Sequence, residues 1–278
     1  MKIIDGKSLA LKIEEELTKK VQKLKEQNIV PKLCVVYVGN DASSKTYIRR
    51  KQEAAERVGV EFKLFTFPAD ILKTKLIGQI ISIQRTEKPH GLIVQLPLPE
   101  HLYSPEVLNA VDASIDVDCL THINQGKLIM KTNTIEPPTP AAVMAILKNL
   151  KVKLQGKNVT IIGTGALVGK PLAVMMMNAG ASVLTCNSKT KDTKARCLKA
   201  DIIVTAVGKY KLLTADMVKK GAIVIDTGIV FVDHKMYGDV DFENVAKKCK
   251  YITPTPGGVG PITVAILLAN TITCAENT

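Results

Sequence analysis

The stretch "NVTIIGTGALVGKPLAVMMM", Asn158–Met177, is an apolar β-branched run that meets three glycines, Gly163, Gly165 and Gly169, and then becomes helical in pattern. A strand running through glycines into a helix is the context in which such a turn can hold a pyrophosphate. The glycines permit a tight turn and close backbone approach, while the helix start offers free N–H groups and the positive end of its dipole. The third glycine stands one residue later than in the usual fingerprint, so the turn by itself reads equally well as a plain strand-to-helix connection. The neighbouring segments decide between the two. "ASVLTC", "DIIVTAVG" and "GAIVIDTG" read as further strands, with helical patterns at Asp192–Leu198 and Thr214–Lys219 between them. That alternation is half of a dinucleotide-binding fold or more. At the end of the strand after the glycine turn stands "CNSKTK", with no carboxylate to take the ribose hydroxyls of NAD. Ser188, Lys189 and Thr190 tolerate a phosphate there, which favours NADP, with NAD the alternative.

Upstream, a second alternating series runs from the start of the chain. Leu9, Ile13, Leu17, Val21 and Leu24 recur at helical spacing and predict an amphipathic helix ending near Asn28 and Pro31. "LCVVYVG" reads as a buried strand and "VEFKLFTF" as another. Asp70–Ile83 and Ser104–Ala110 read as helices, and "GLIVQLPLP" as a strand broken by Pro97 and Pro99. Asp112–Pro140, with "EPPTP", reads as a crossing between domains. The fold class is therefore α/β with parallel sheets in two domains and a cleft between them. Residues 1–138, completed by a C-terminal helix at 261–278, form one domain, and 139–260 form a Rossmann-like domain.

Composition narrows the function classes. At 278 residues the chain has room for two modest domains. Its net charge of +12 admits nucleic acid, anionic small molecules or a lysine-rich surface. Aromatic residues are only 4%, too few for base-stacking platforms, so nucleic acid is disfavoured. Six cysteines are scattered with no CxxC and no histidine at ligand spacing, so no metal site is expected and the thiols read as reduced. The start carries Glu14, Glu15 and Glu16 and lacks a secretory apolar core, and no apolar run approaches about 20 residues; a cytoplasmic protein with no membrane partner is expected.

In "YVGNDASSKTYIRRKQ", Tyr37–Gln52, a serine N-cap at Ser43 or Ser44 leads a helix on which Tyr47 and Lys51 share one face. Such a pair is ordinarily a solvated face. His90, His122 and His234 read as structural, and His101 and Tyr103 as surface or packing residues.

Taken together, "SSKTYIRRK", "GLIVQLPLPEH", "DVDCLTHINQGKL", "GALVGKP", "CNSKT" and "ITPTPGGVGPITVAIL" stand in one order along the chain. In this it resembles the bifunctional methylenetetrahydrofolate dehydrogenase/methenyltetrahydrofolate cyclohydrolase family, from end to end. The resemblance implies oxidation of 5,10-methylenetetrahydrofolate with NADP, then hydrolysis of the methenyl product to 10-formyltetrahydrofolate at the same site. It also implies a place in one-carbon metabolism and purine biosynthesis, and a homodimer. By position it assigns Lys51 as the catalytic lysine, Tyr47 to the folate, Gln95 to the lysine and Asp118 to the pterin. Ser44 and Pro256, Gly257, Gly258 and Val259 fall to the folate pocket, and Gly163, Thr164, Gly165, Ser188 and Ile229 to the dinucleotide. The hydrolytic step needs proton handling, for which a lysine lowered in pKa by burial or by the adjacent Arg49 and Arg50 is suited. This chain departs from the family pattern at Cys119, where glycine is usual, at Pro138 and Ala142, at Thr164-Gly165 in place of Arg-Ser, and at Asn187 in place of histidine. The arginine's absence makes a dehydrogenase that prefers NAD one alternative, and the cofactor-side changes together with Cys119 make a dehydrogenase without the hydrolytic step another; a non-catalytic basic binding protein is the remote one.

Overall fold

A computed structural model describes residues 2–233 and 235–277, with Ala42 and Ser43 described by backbone alone; the expectation for His234 lies outside the described residues. The chain forms two compact units. Leu11–Pro138 and the stretch from Val264 onward make one; Thr139–Thr263 and the residues up to Ala10 make the other.

The short strand β1 (Lys2–Ile3) is followed by helix α1 (Gly6–Glu26), whose Leu17, Val21 and Leu24 are buried at helical spacing. Strand β2 (Lys32–Val38) is the middle of a three-stranded parallel sheet; β3 (Glu61–Phe67) pairs it on one side and β4 (Gly91–Val94) on the other. A strand covered on both faces shows no polar alternation, and Leu33–Val38 are all buried. Helix α2 (Ala42–Val58) joins β2 to β3, and α3 (Lys73–Glu87) joins β3 to β4. The cap of α2 is Asp41, whose carboxylate accepts the Ser44 N–H at 2.6 Å, and not Ser43 or Ser44; a carboxylate also favours the helix dipole. Helix α3 starts at Lys73 and not at Asp70. The segment 112–140, expected to be a plain crossing, contains more than that. After α4 (Pro105–Leu108), Thr121 accepts the Asn124 N–H and starts α5 (His122–Met130).

The other unit begins its main run with α6 (Pro138–Asn149), β5 (Asn158–Ile162), α7 (Gly169–Asn178), β6 (Ser182–Cys186) and α8 (Thr193–Lys199). It continues through β7 (Ile202–Thr205), β8 (Ile223–Asp226), the antiparallel hairpin β9 (Val230–Val232) and β10 (Lys235–Tyr237), α9 (Phe242–Ala246) and β11 (Tyr251–Ile252). The expected helix over Thr214–Lys219 is only a 3₁₀ turn at Ala215–Met217. All pairs in the six-stranded sheet β1-β11-β8-β7-β5-β6 are parallel. Chain order reverses at β5: β6 lies on one side of it and β7 on the other, which opens a crevice at the carboxyl ends of β5 and β7.

The first residues group with this second unit and not with 11–138, because β1 pairs with β11 and the Gly6 N–H bonds the Gly257 carbonyl at 3.1 Å. Helix α10 (Val259–Glu276) is the one described helix long and apolar enough to cross a membrane. Its apolar character has a local cause. Val264, Leu267, Leu268, Ile272 and Ala275 complete the core around Leu17, Leu33, Val35 and Ile93, and a side chain on Gly91 would meet Thr271 Oγ1 at 2.7 Å.

Candidate functional site

In the first unit, β2 ends at Val38, and Gly39 at φ +94° turns the chain toward Asp41 and α2. Gln95 extends the neighbouring ladder, its N–H bonding the Val36 carbonyl at 2.8 Å. Lys51 on α2 and Gln95 beyond β4 thereby meet, and Lys51 Nζ donates to Gln95 Oε1 at 2.9 Å. The amide's other end is fixed as well, with Nε2 donating to the Leu96 carbonyl at 2.6 Å. The lysine thus has a held geometry. Burial lowers its pKa below the ordinary lysine range, partly opposed by the Asp118 charge. Neither arginine causes this: Arg49 pairs with Glu53 at 3.5 Å, and Arg50 lies 5.8 Å over the Tyr47 ring.

Asp118 answers the lysine electrostatically. Burial raises its carboxyl, Lys51 lowers it and Asp116 raises it. Two residues earlier on the same turn, Asp116 is spent structurally, accepting from Thr121 N at 2.8 Å, Leu120 N at 3.2 Å and Asn124 Nδ2 at 3.1 Å. Cys119, next to Asp118, sits at φ +55°, where a glycine would carry no steric penalty. Its thiol is buried, and burial raises its pKa.

Ser44, Tyr47 and Lys51 stand at i, i+3 and i+7 on α2, one face of the helix. The Ser44 and Tyr47 hydroxyls are buried yet have no hydrogen-bond partner among the described residues. Buried hydroxyls are ordinarily paired, and two orphans on the face that carries a desolvated lysine mark where a polar ligand would complete the bonding. His90 is structural, its Nδ1 accepting the Lys32 N–H at 3.1 Å. His101 Nε2 lies 3.4 Å from the Ile71 carbonyl, and Tyr103 is exposed.

In the second unit, a Cβ on Gly163 would stand 2.2 Å from the Ala206 carbonyl oxygen, and its φ is +118°. A Cβ on Gly169 would stand 2.0 Å from the Gly163 carbonyl oxygen. Both are dictated by packing of the turn on the start of α7 and on the loop after β7. Gly165 differs: a side chain there meets nothing within 4 Å, so its smallness leaves the approach to the helix start open. These residues fit a dinucleotide's pyrophosphate. Thr164 lies in the same turn, and Ser188, Lys189 and Lys191 are exposed just beyond β6. That loop closes on itself, Asn187 N–H to Thr190 Oγ1 and Lys189 N–H to Asn187 Oδ1, both at 2.9 Å. The next acidic residue along the chain, Asp192, caps α8 through the Ala195 N–H. Ile229 lies exposed after β8, its carbonyl 3.2 Å from where a Cβ of Gly208 would stand.

Of the segment 256–259, Pro256 is exposed and Gly257 half-buried, while Gly258 and Val259 are buried. Sequence reading missed Gly6. A Cβ there would stand 1.7 Å from the Gly258 carbonyl oxygen, so only a glycine lets α1 start against this loop. The signal was a glycine directly after "KIID". It also missed the buried Asp226 and Asp239, present as "DTG" and "GDVD".

The catalytic-domain model of the tetrahydrofolate dehydrogenase/cyclohydrolase family matches residues 4–118, and that family's NAD(P)-binding domain model matches 137–278. The bifunctional protein FolD of Nautilia profundicola is 46% identical over all of this chain and 98% of its own length. The crystal structure of the bifunctional enzyme FolD, methylenetetrahydrofolate dehydrogenase/cyclohydrolase, of Campylobacter jejuni has a TM-score of 0.96 at 43% identity, covering 100% of this chain and 99% of its own. The Trypanosoma brucei methylenetetrahydrofolate dehydrogenase-cyclohydrolase, complexed with NADP cofactor and inhibitor, has a TM-score of 0.95 at 35% identity, covering 99% of this chain and 97% of its own.

Proposed function

Because the chain belongs to the tetrahydrofolate dehydrogenase/cyclohydrolase family, we propose that it oxidises 5,10-methylenetetrahydrofolate with NADP and hydrolyses the methenyl product to 10-formyltetrahydrofolate. The observation that carries this reading is the single helix face bearing orphan Ser44 and Tyr47 hydroxyls and the Gln95-held Lys51. Tyr47 stacks on the folate. Asp118 accepts two hydrogen bonds from the pterin's amino group and ring N–H, as a carboxylate's paired oxygens suit. Pro256 and Gly257 line the same folate, with Gly258 and Val259 behind them.

The two steps ask different things of these residues. A bound dinucleotide would supply the hydride acceptor. The protein's part in that step is orientation, because the reacting carbon needs no proton relay. Hydrolysis does need one: water adding to the methenyl carbon must lose a proton, and the departing ring nitrogen must gain one. Lys51, with a pKa lowered by burial, accepts the proton and returns it, and Gln95 keeps its Nζ in place. Gly163–Gly165 and the start of α7 would hold the dinucleotide, together with Ser188 and Ile229. With no free carboxylate at the end of β6 and Lys189 and Lys191 exposed there, the ribose phosphate of NADP is favoured over the bare ribose of NAD. The working protein is a cytoplasmic homodimer.

A spectrophotometric assay with methylenetetrahydrofolate and each nicotinamide cofactor, followed by methenyltetrahydrofolate alone, tests both activities. Turnover with NADP and separate hydrolysis are expected. A strong preference for NAD would overturn the cofactor assignment, and absent hydrolysis would reduce the protein to a dehydrogenase.

A further inference from the structure

The second unit buries two carboxylates that the function above does not use. Asp226 ends β8 at 4% exposure, and Asp239, after β10, is fully buried. Asp239 Oδ2 accepts the Val207 N–H at 2.8 Å and Oδ1 the Lys209 N–H at 2.7 Å, which pins the loop that follows β7. Asp226 Oδ1 accepts from Thr205 Oγ1 at 2.9 Å, Gly228 N at 3.0 Å and Asp239 N at 3.1 Å, and its Oδ2 accepts from Val240 N at 3.0 Å. The two are packed reciprocally. A Cβ on Gly228 would stand 2.1 Å from Asp239 Cγ, and a Cβ on Gly238 would stand 1.9 Å from Asp226 Oδ2. Each carboxylate therefore lies against a glycine of the segment that carries the other.

The pinned loop is not remote. Its first carbonyl, at Ala206, is the atom that leaves no room for a side chain on Gly163, and Gly208 lies beside the Ile229 carbonyl. An ionised group removed from water is costly unless its oxygens are satisfied, and here they are satisfied by the amides that shape the crevice. We propose that Asp239, braced by Asp226, is the positioning residue of the dinucleotide cradle, holding the loop after β7 against the glycine turn before any cofactor arrives. This rests on the dinucleotide-binding reading given above. A cradle ordered in advance binds more tightly because the ordering cost is already met.

The test compares wild type with Asp239→Asn, which turns one acceptor oxygen into a donor facing an N–H, and with Gly228→Ala, which displaces the carboxylate and leaves its charge. NADPH affinity is measured by fluorescence titration, KM for both substrates by turnover, and hydrolysis of methenyltetrahydrofolate as an internal control. Both variants are expected to bind NADPH at least tenfold more weakly, with raised KM for NADP, near-normal kcat at saturating NADP, unchanged folate KM and unchanged hydrolysis. NADPH affinity within twofold of wild type in a folded variant overturns the proposal. Should the variants not fold, hydrogen exchange on wild type decides it. The Val207 and Lys209 amides must already be protected without cofactor, and fast exchange there overturns the proposal. If wild type binds no dinucleotide, the function assignment falls with it; if wild type binds and the variants are unaffected, only this inference falls.

Discussion

The polar groups around Lys51 and those around Asp226 and Asp239 are both desolvated, yet they are satisfied in opposite ways. Around α2, Lys51 and Asp118 act on each other as opposite charges, and among the described residues the Ser44 and Tyr47 hydroxyls have no partner. Beside β8, two like charges are buried close together and take hydrogen bonds from Val207, Lys209, Thr205, Gly228 and Val240. The first set has bonding capacity that a ligand would complete, whereas the second has spent its capacity on the amides of its own loops. Burial and perturbed pKa alone would have made both look like active sites.

The hydrolytic step depends most on Lys51. Lys51→Ala should lower methenyltetrahydrofolate hydrolysis by about 10³-fold while the protein keeps its far-UV circular dichroism; retained hydrolysis would remove the proton role from this lysine. The next largest effect concerns Asp226, which burial raises from 3.8 to about 6. The folded state then holds this proton more tightly than the unfolded chain, so the contribution falls as pH rises from about 4 to 6. Full ionisation costs up to about 3 kcal/mol. Chemical denaturation across that range should show this slope in wild type and lose it in Asp226→Asn; identical slopes would mean the carboxyl is not desolvated as its burial implies.

Ser44→Ala removes a buried orphan hydroxyl, so the free protein should gain about 1 kcal/mol in stability while folate affinity falls about fivefold. A loss of stability instead would mean the hydroxyl is bonded in the free state. At Cys119, glycine would relieve a left-handed backbone worth about 1 kcal/mol but would delete a buried thiol worth a similar amount. Cys119→Gly should therefore change stability by less than about 0.5 kcal/mol and leave the folate KM unchanged. A marked gain in folate affinity would show that the thiol intrudes on the ligand.

Much of this was legible from residue order. β-Branched runs, glycine turns and the 3.6-residue spacing of α1 carry local information, and the strands and the glycine turn follow from them. The motif set also named Lys51, Gln95 and Asp118 together. Other features depended on who packs against whom. The helix α5 was hidden in a segment rich in turn residues, because its start depends on a Thr121 cap and on Asp116 gathering the amides around it. The first residues went to the second unit because an edge strand two residues long has almost no periodicity and is fixed only by its partner β11. The sequence determined which elements form and which side chains could do chemistry, since those follow from spacing and residue type. Which polar groups stay unbonded and which are consumed in holding loops is settled only by the tertiary structure, because hydrogen-bond satisfaction is a property of neighbours distant in the chain.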